Sequence, residues 1–295
     1  MSNARVPLRQ RAEYLIYRTV VGRLAGLSEE SLEKWTVRTS NFLRRVVKRR
    51  DRVAARNLAN VFPDKSAAER EQILERCWRH FAGMAFRYLR SGDPSIAPRT
   101  ISFENRHHID EALALGKGVI VVTGHFGEWE GAAAAVELAG VPAIAIARRL
   151  DNPLLHEAVH TARSSLGLVM VDRKRAAKRM LQALRERQVV ILLIDQAVKP
   201  REGVLLAFLG RPAWTATSPA KLALKTGAPI LPLFCYPDDG GIRIAIEKPI
   251  DVAALAPAER TVEQILSTLS QSIERRILDR PELWLWMHDR WKGTR

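Results

Sequence analysis

The stretch Thr123-Gly124-His125-Phe126-Gly127-Glu128-Trp129-Glu130 sets an imidazole and a carboxylate five positions apart. That pair suits general-base chemistry. The imidazole takes the proton of a hydroxyl as it attacks a carbonyl, such as that of a thioester. The carboxylate fixes the ring tautomer and stabilises the imidazolium as it forms. Of the seven histidines, only His125 has an acid at this offset. Spacing alone is weak evidence, and a surface histidine beside a helix N-terminus would show the same pattern. Context adds to it, because the apolar run Gly118-Val-Ile-Val-Val122 comes directly before. On a regular helix, positions i and i+5 sit about 140° apart and could not cooperate. His125 is therefore expected in a turn after a strand, with Glu130 in the first turns of the helix that follows. Gly124 and Gly127 permit the tight passage, and the alanine-rich segment 131–138 continues the helix.

Three other stretches could carry chemistry. His156-Glu157-Ala158-Val159-His160 matches the zinc-protease pattern H-E-x-x-H, with both histidines on one helix face and Glu157 as base. A third ligand is not evident, and Leu154, Leu155 and Val159 suit a helix that covers a core, so no metal is expected. The run Arg44, Arg45, Lys48, Arg49, Arg50, Arg52, Arg56 could meet phosphates. No aromatics interleave with it, so a solvated or membrane-facing helix surface is expected and nucleic acid is not. Trp284, Trp286 and Trp291 fall within eight residues. Core packing is the default for them; a lipid headgroup interface is the alternative.

The elements that must position these residues change character near residue 95. Residues 1–95 read as wholly helical, with Ser28 and Ser66 as N-caps and a break at Ser91-Gly-Asp-Pro94. From about 100, apolar strand candidates at 118–123, 142–147, 167–171, 189–194, 229–235 and 241–247 alternate with helical stretches. These fall at 107–115, 128–139, 152–165, 174–187 and 215–226. The alternation argues for an α/β fold: a mostly parallel central sheet flanked by helices, preceded by a basic all-helical region. The expected division is 1–95 and a catalytic core of 96–295, the helices capping the sheet and not standing apart. Ligands in such folds gather at the carboxyl ends of strands. His125 follows the first strand candidate and Asp195-Gln196 the fourth, so both could face one crevice.

The chain has 295 residues, 47% apolar and 27% charged, which suits a globular protein and not a disordered one. Cys77 and Cys235 lie far apart in apolar surroundings and read as buried free thiols. The net charge is +15, and residues 1–60 hold 14 Lys/Arg against 5 Asp/Glu. Such a surface attracts an anionic partner: phospholipid, nucleic acid or an acidic protein. No apolar run reaches the length of about 18 residues that spans a bilayer, and no secretory signal is evident at the start. Residues 12–27 place Tyr14, Leu15, Val20, Val21 and Leu24 at roughly helical spacing, with Arg11, Arg18 and Arg23 for another face. They read as an amphipathic helix for a membrane interface or for the protein's own core.

The chain resembles the bacterial lipid A biosynthesis acyltransferases, the lauroyl/myristoyl late-acylation enzymes of the wider lysophospholipid and glycerophosphate acyltransferase-like group. The resemblance runs along almost the whole chain. It rests on Arg56-Asn57-Leu-Ala-Asn-Val-Phe62-Pro63, Gly124-His125-Phe-Gly-Glu-Trp129-Glu130, Arg148-Arg-Leu-Asp-Asn152-Pro153 and Ile194-Asp195-Gln196-(…)-Gly203-Val. It continues through Phe208-Leu-Gly210 with Ala216-Thr217, Thr226-Gly-Ala-Pro229-Ile-Leu-Pro232, and Pro281-Glu-Leu-Trp-Leu-Trp-Met-His288-Asp-Arg290-Trp291-Lys.

The resemblance implies a membrane-associated transferase that moves a fatty acyl group from acyl carrier protein to a hydroxyl of a lipid A precursor, with no cofactor. Its place would be the cytoplasmic face of the bacterial inner membrane, held peripherally or at the interface. His125 and Glu130 would be the catalytic dyad. Arg148 and Arg163 would bind phosphate or stabilise charge, and Asp195 would support the pocket. Transfer is expected to be direct, since no Ser or Cys sits beside His125. The sequence departs from the family in two respects. Many relatives have a more apolar N-terminal helix, so attachment here is expected to be peripheral. Acyltransferases acting on phosphatidylinositol mannosides share the dyad, usually with Asp in place of Glu, so Glu130 leans toward lipid A; another glycolipid or a lysophospholipid is the alternative acceptor.

Overall fold

The computed structural model describes residues 6–90, 99–132, 140–147, 150–164, 168–172 and 176–294, and its side chains with the further exception of 25, 147 and 160–164. Four helices come first: α1 (Leu8–Ala25), α2 (Glu29–Val46), α3 (Lys48–Val61) and α4 (Ala67–Arg90). Two of their starts follow from the serines. Ser28 Oγ accepts the Ser31 amide at 3.3 Å. At α4, Ser66 and Glu69 exchange bonds: Ser66 Oγ accepts the Glu69 amide at 3.2 Å, and Glu69 Oε2 accepts the Ser66 amide at 2.7 Å. Each bond satisfies an amide that the first helical turn leaves without a partner.

The remaining elements are β1 (Thr100–Glu104), α5 (His107–Ala114), β2 (Val119–Thr123), β3 (Ala143–Ala147), α6 (Pro153–Ser164), β4 (Leu168–Asp172) and α7 (Ala176–Arg185). They continue as β5 (Val189–Leu193), β6 (Gly203–Phe208), β7 (Arg211–Ala216), α8 (Ser218–Thr226), β8 (Ile230–Asp238), β9 (Gly241–Ile246) and α9 (Val262–Asp279). Seven strands form one sheet in the order β1-β9-β8-β2-β5-β3-β4, while β6 and β7 form a separate hairpin. β8, β2, β5, β3 and β4 run parallel; β9 is antiparallel to β8, and β1 is parallel to β9. This is the mostly parallel α/β sheet that the alternation implies.

Helices cover both faces because both faces of the strands are apolar. Along β2, Ile120 and Val122 enter one core together with Leu58, Leu74, Phe81, Leu184, Ala223 and Leu269 from α3, α4, α7, α8 and α9. Val119 and Val121 enter the opposite core with Ile109 and Ala112 of α5. The alternation follows from the two-residue period of a strand. The N-terminal helices therefore share the sheet's core.

Several expectations need amendment. β1, the β6–β7 hairpin and α9 are absent from the sequence reading, and α8 starts at Ser218, three residues later than expected. The expected helix 128–139 lies largely outside the described residues; what is described is a 3-10 turn over Trp129–Gly131. Trp284, Trp286 and Trp291 are buried in the core, which rules out the headgroup alternative for them. Both cysteines are buried free thiols, and burial pushes Cys77 up to about 12.

Helix α1 departs from a simple two-faced pattern. Leu24 is buried, but Leu8, Leu15, Ile16 and Val20 are exposed. The helix is docked through polar contacts: Asn152 Nδ2 donates to the Gln10 carbonyl and to Glu13 Oε2, both at 2.9 Å. Asn152 Oδ1 meanwhile accepts the Leu154 amide at 3.0 Å at the start of α6. The Asn152-Pro153 pair thus begins α6 and holds α1 to it.

Candidate active site

β2 and β5 are parallel neighbours whose register pairs Thr123 with Leu193. Continuing that register by two residues brings His125 opposite Asp195, at the carboxyl edge of the sheet where ligands of such folds gather. The Ile194 amide donates to the Thr123 carbonyl at 3.2 Å and extends the ladder into the site. His125 Nδ1 lies 2.9 Å from Asp195 Oδ1. Asp195 Oδ2 accepts the His125 backbone amide and the Trp284 indole N–H, each at 2.8 Å. One buried carboxylate thus fixes the ring, the backbone that carries it and the C-terminal segment.

The backbone after His125 is held on two sides. Leu285 donates its amide to the His125 carbonyl at 3.1 Å, Gly127 its amide to the Leu283 carbonyl at 2.7 Å, and Glu128 its amide to the Cys235 carbonyl at 2.8 Å. Gly127 has φ of +57°, and a Cβ there would lie 1.9 Å from the Cys235 carbonyl oxygen, so only glycine fits. A Cβ on Gly124 would lie 3.2 Å from Asp195 Cγ, so the absent side chain is what lets the carboxylate approach. Glu128 is buried and held by Arg87 at 2.6 Å and Arg99 at 2.9 Å. Burial raises its pKa, but the two guanidiniums outweigh that and keep the carboxylate below its ordinary range.

The electrostatics follow from this geometry. Burial raises the pKa of Asp195, yet the His125 charge and the hydrogen bonds from His125 and Trp284 outweigh it and hold the acid at about 2. Burial lowers the pKa of His125, but the Asp195 charge and hydrogen bond, with a smaller contribution from the Glu130 charge, raise it above its ordinary 6.5. With Nδ1–H bound to the carboxylate, Nε2 carries the lone pair. The Gln196 side-chain amide nitrogen sits 3.2 Å from that Nε2, and His125 keeps 22% of its side chain exposed. An imidazole in this setting can accept a proton at Nε2 and share the resulting charge with Asp195.

The sequence-derived residues are therefore placed unevenly. His125 and Asp195 meet directly, and it is Asp195 that accepts from Nδ1. Glu130 lies in the 3-10 turn, half-buried, and acts on the imidazole through its charge. Arg148 lies outside the described residues. Arg163 lies on α6, and its side chain, like that of His160 in the H-E-x-x-H stretch, is outside the description.

Residues that sequence reasoning missed come mainly from the aromatic C-terminal segment. Trp284 supplies a donor to Asp195, and the only hint was that a buried indole N–H needs an acceptor. His288 Nε2 accepts the Ala197 amide at 3.0 Å, and burial lowers its pKa. Arg290 is fully buried, donating to the Trp214 carbonyl and Thr215 Oγ1 at 2.6 Å each. Burial lowers its pKa to about 10. Asn57 of α3, also fully buried, donates to the Trp286 and His288 carbonyls at 3.0 and 2.9 Å. The segment 284–290 thus ties the N-terminal helices to the loop after β5.

The chain is similar to several known acyltransferases. The lipid A biosynthesis lauroyltransferase of Escherichia coli strain K12 is 29% identical over 257 residues, covering 84% of this chain and 81% of that protein. A lipid A biosynthesis acyltransferase of Haemophilus influenzae is 28% identical over 258 residues, covering 84% and 79%. The phosphatidylinositol mannoside acyltransferase of Mycobacterium tuberculosis strain H37Rv is 27% identical over 188 residues, covering 62% and 58%. A family model described as bacterial lipid A biosynthesis acyltransferase matches residues 6–293, nearly the whole chain, and the chain belongs to that family.

Proposed function

We propose that this protein transfers a fatty acyl group from the thioester of acyl carrier protein to a hydroxyl of a lipid A precursor, at the cytoplasmic face of the bacterial inner membrane. The observation that carries the proposal is the buried Asp195 carboxylate holding His125 Nδ1, which leaves Nε2 as a base at the carboxyl edge of the sheet. The acceptor hydroxyl takes the place of the Gln196 amide at Nε2 and gives up its proton there. Its oxygen attacks the thioester carbonyl, and the tetrahedral intermediate collapses with loss of the thiolate, which takes from Nε2 the proton that the hydroxyl gave up. Asp195 and, through space, Glu130 offset the imidazolium charge while it exists. Arg148 and Arg163 are candidates for offsetting the developing oxyanion or for one of the phosphate contacts. Arg87, Arg99 and Arg290 are engaged with Glu128, Trp214 and Thr215.

No helix among the described residues is long and apolar enough to cross a membrane. Attachment in this proposal is interfacial, through the exposed Leu8, Leu15, Ile16 and Val20 of α1, with Arg11, Arg18 and Arg23 close by for anionic headgroups. The relatives that act on phosphatidylinositol mannosides support a second acceptor class, another glycolipid. Purified protein with acyl-loaded carrier protein and, in parallel, a tetra-acylated lipid A precursor, a phosphatidylinositol mannoside and a lysophospholipid separates these. A gain of one acyl chain by the lipid A precursor supports the proposal. Acylation of only one of the other two reassigns the acceptor, and coenzyme A thioesters as sole effective donors would reassign the donor.

A further inference from the structure

The basic run from Arg44 to Arg56 crosses from the end of α2 into α3 and divides into two parts. Arg44, on α2, is engaged by Asp51 at 3.0 Å and Glu71 at 2.6 Å and is structural. Arg49, Arg52, Val53 and Arg56 recur at the i, i+3, i+4, i+7 spacing of a single helix face. That face lines a cleft of about 850 Å³, whose other walls are Ala197 after β5 and His288, Asp289 and Lys292. Arg50 also lines it, donating to the Met287 carbonyl at 3.2 Å. The opposite face of α3 places Ala54, Asn57 and Leu58 in the core. The helix thus buries one side and leaves a row of guanidiniums along a cavity on the other.

Five cations and one carboxylate line this cleft. Arg56 pairs with Asp289 at 3.1 Å. Arg49, Arg52 and Lys292 are exposed. A cavity of this size lies within the range that holds small ligands. Clustered guanidiniums favour phosphoryl oxygens, which they bind through paired N–H donors.

The cleft also adjoins the base. Ala197 follows Gln196, whose amide touches His125 Nε2, and His288 accepts the Ala197 amide. His288 stands within the electrostatic reach of both Arg50 and His125.

We propose that this cleft is a phosphoryl-binding subsite that seats the anionic headgroup of the acyl acceptor while its hydroxyl lies at His125 Nε2. The proposal rests on the acyl-transfer function above. The concave shape suits a compact phosphorylated sugar better than the convex surface of a carrier protein. It separates two tasks that a general positive charge would not: Arg49, Arg52, Arg56 and Lys292 read the phosphate, and His125 acts on the hydroxyl.

The test compares the wild type with Arg49→Gln/Arg52→Gln and with Lys292→Gln. These residues are exposed, and thermal melts verify that the variants fold. Initial rates are measured with the phosphorylated acceptor and with the same acceptor stripped of phosphate. Donor carrier is varied separately. The expected result is a rise in KM of about ten-fold or more for the phosphorylated acceptor, as for loss of charge-assisted hydrogen bonds, with kcat little changed. The stripped acceptor should be insensitive, and Arg49→Lys/Arg52→Lys should recover part of the affinity. An equal shift with the stripped acceptor, a shift in donor KM alone, or no shift overturns the proposal.

Calorimetric titration with glucosamine 1-phosphate reads the cleft without turnover. If no acceptor is acylated, the transfer function fails. Wild-type binding that the double Gln variant loses then still supports a phosphoryl site. Equal binding by both proteins, or none, overturns the site itself.

Discussion

Replacing Asp195 with Asn tests which carboxylate sets the base. In the native site Asp195 Oδ2 accepts two N–H groups, from the His125 backbone and Trp284, and Oδ1 faces His125 Nδ1. An asparagine keeps both backbone and indole donors satisfied only by placing its carbonyl oxygen at the Oδ2 position. Its NH2 group then faces Nδ1 and donates to it, which moves the ring proton to Nε2. The nitrogen meant to receive the substrate proton is thereby blocked. The expected loss in kcat is roughly 10³–10⁴-fold, the order associated with a general base left in the wrong tautomer.

The stability effect has a definite sign. The folded pKa of His125 is raised, so its contribution is full below about 6.5 and fades as pH rises through the folded value. That of Asp195 is depressed to about 2, so its contribution is present above its ordinary range and fades as pH falls through about 2. Asp195→Asn should therefore destabilise more at pH 6 than at pH 9 in denaturant titrations. Acyl transfer measured by mass spectrometry, with circular dichroism on the same samples, checks the activity loss. A folded Asp195→Asn enzyme within a few-fold of wild type, beside a Glu130→Gln enzyme that is nearly dead, would refute the assignment and return the orienting role to Glu130.

Three further outcomes follow from the same contacts. Glu130→Gln removes a charge that raises the His125 pKa. The acid limb of its pH–rate profile should shift to lower pH, with a smaller loss of rate than Asp195→Asn. Gly124→Ala places a Cβ 3.2 Å from Asp195 Cγ. A displacement of a few tenths of an ångström should lower kcat about ten-fold or more while the melting temperature changes little. Asn57→Ala strips the Trp286 and His288 carbonyls of their buried donor. The cost should be about 2–6 kcal/mol in urea titration, since each buried acceptor left without a partner costs about 1–3 kcal/mol.

The sheet was legible where the chain is apolar in short runs separated by polar helices, and β2, β3, β4, β5, β8 and β9 are found near their expected places. β1 was missed because Thr100-Ile-Ser-Phe-Glu104 lies at the edge of the sheet and only half of it faces a core. The β6–β7 hairpin turns at Leu209-Gly210, where both residues have positive φ, and a sequence pass for long apolar runs overlooks such a turn. At the site, the offset between His125 and Glu130 was visible because it is local. The bond between His125 and Asp195 spans 70 positions and arises from the register of two parallel strands, which local spacing does not encode. Trp284 and Asn57 lie in blocks that carry the family resemblance, but what each holds becomes apparent only when the C-terminal segment is laid between α3 and the loop after β5.

His125 is, in the proposed function, the base of an acyl transfer. The most direct measurement is a single-turnover reaction of wild-type and His125→Ala proteins with acyl-loaded carrier protein and the tetra-acylated lipid A precursor, read by the precursor's mass. One added acyl chain is expected with the wild type. The rate should be at least about 10²–10⁴-fold lower with the variant, whose melting curve should still show a folded protein. Transfer at the wild-type rate by a folded His125→Ala protein would contradict the role of His125 as the base.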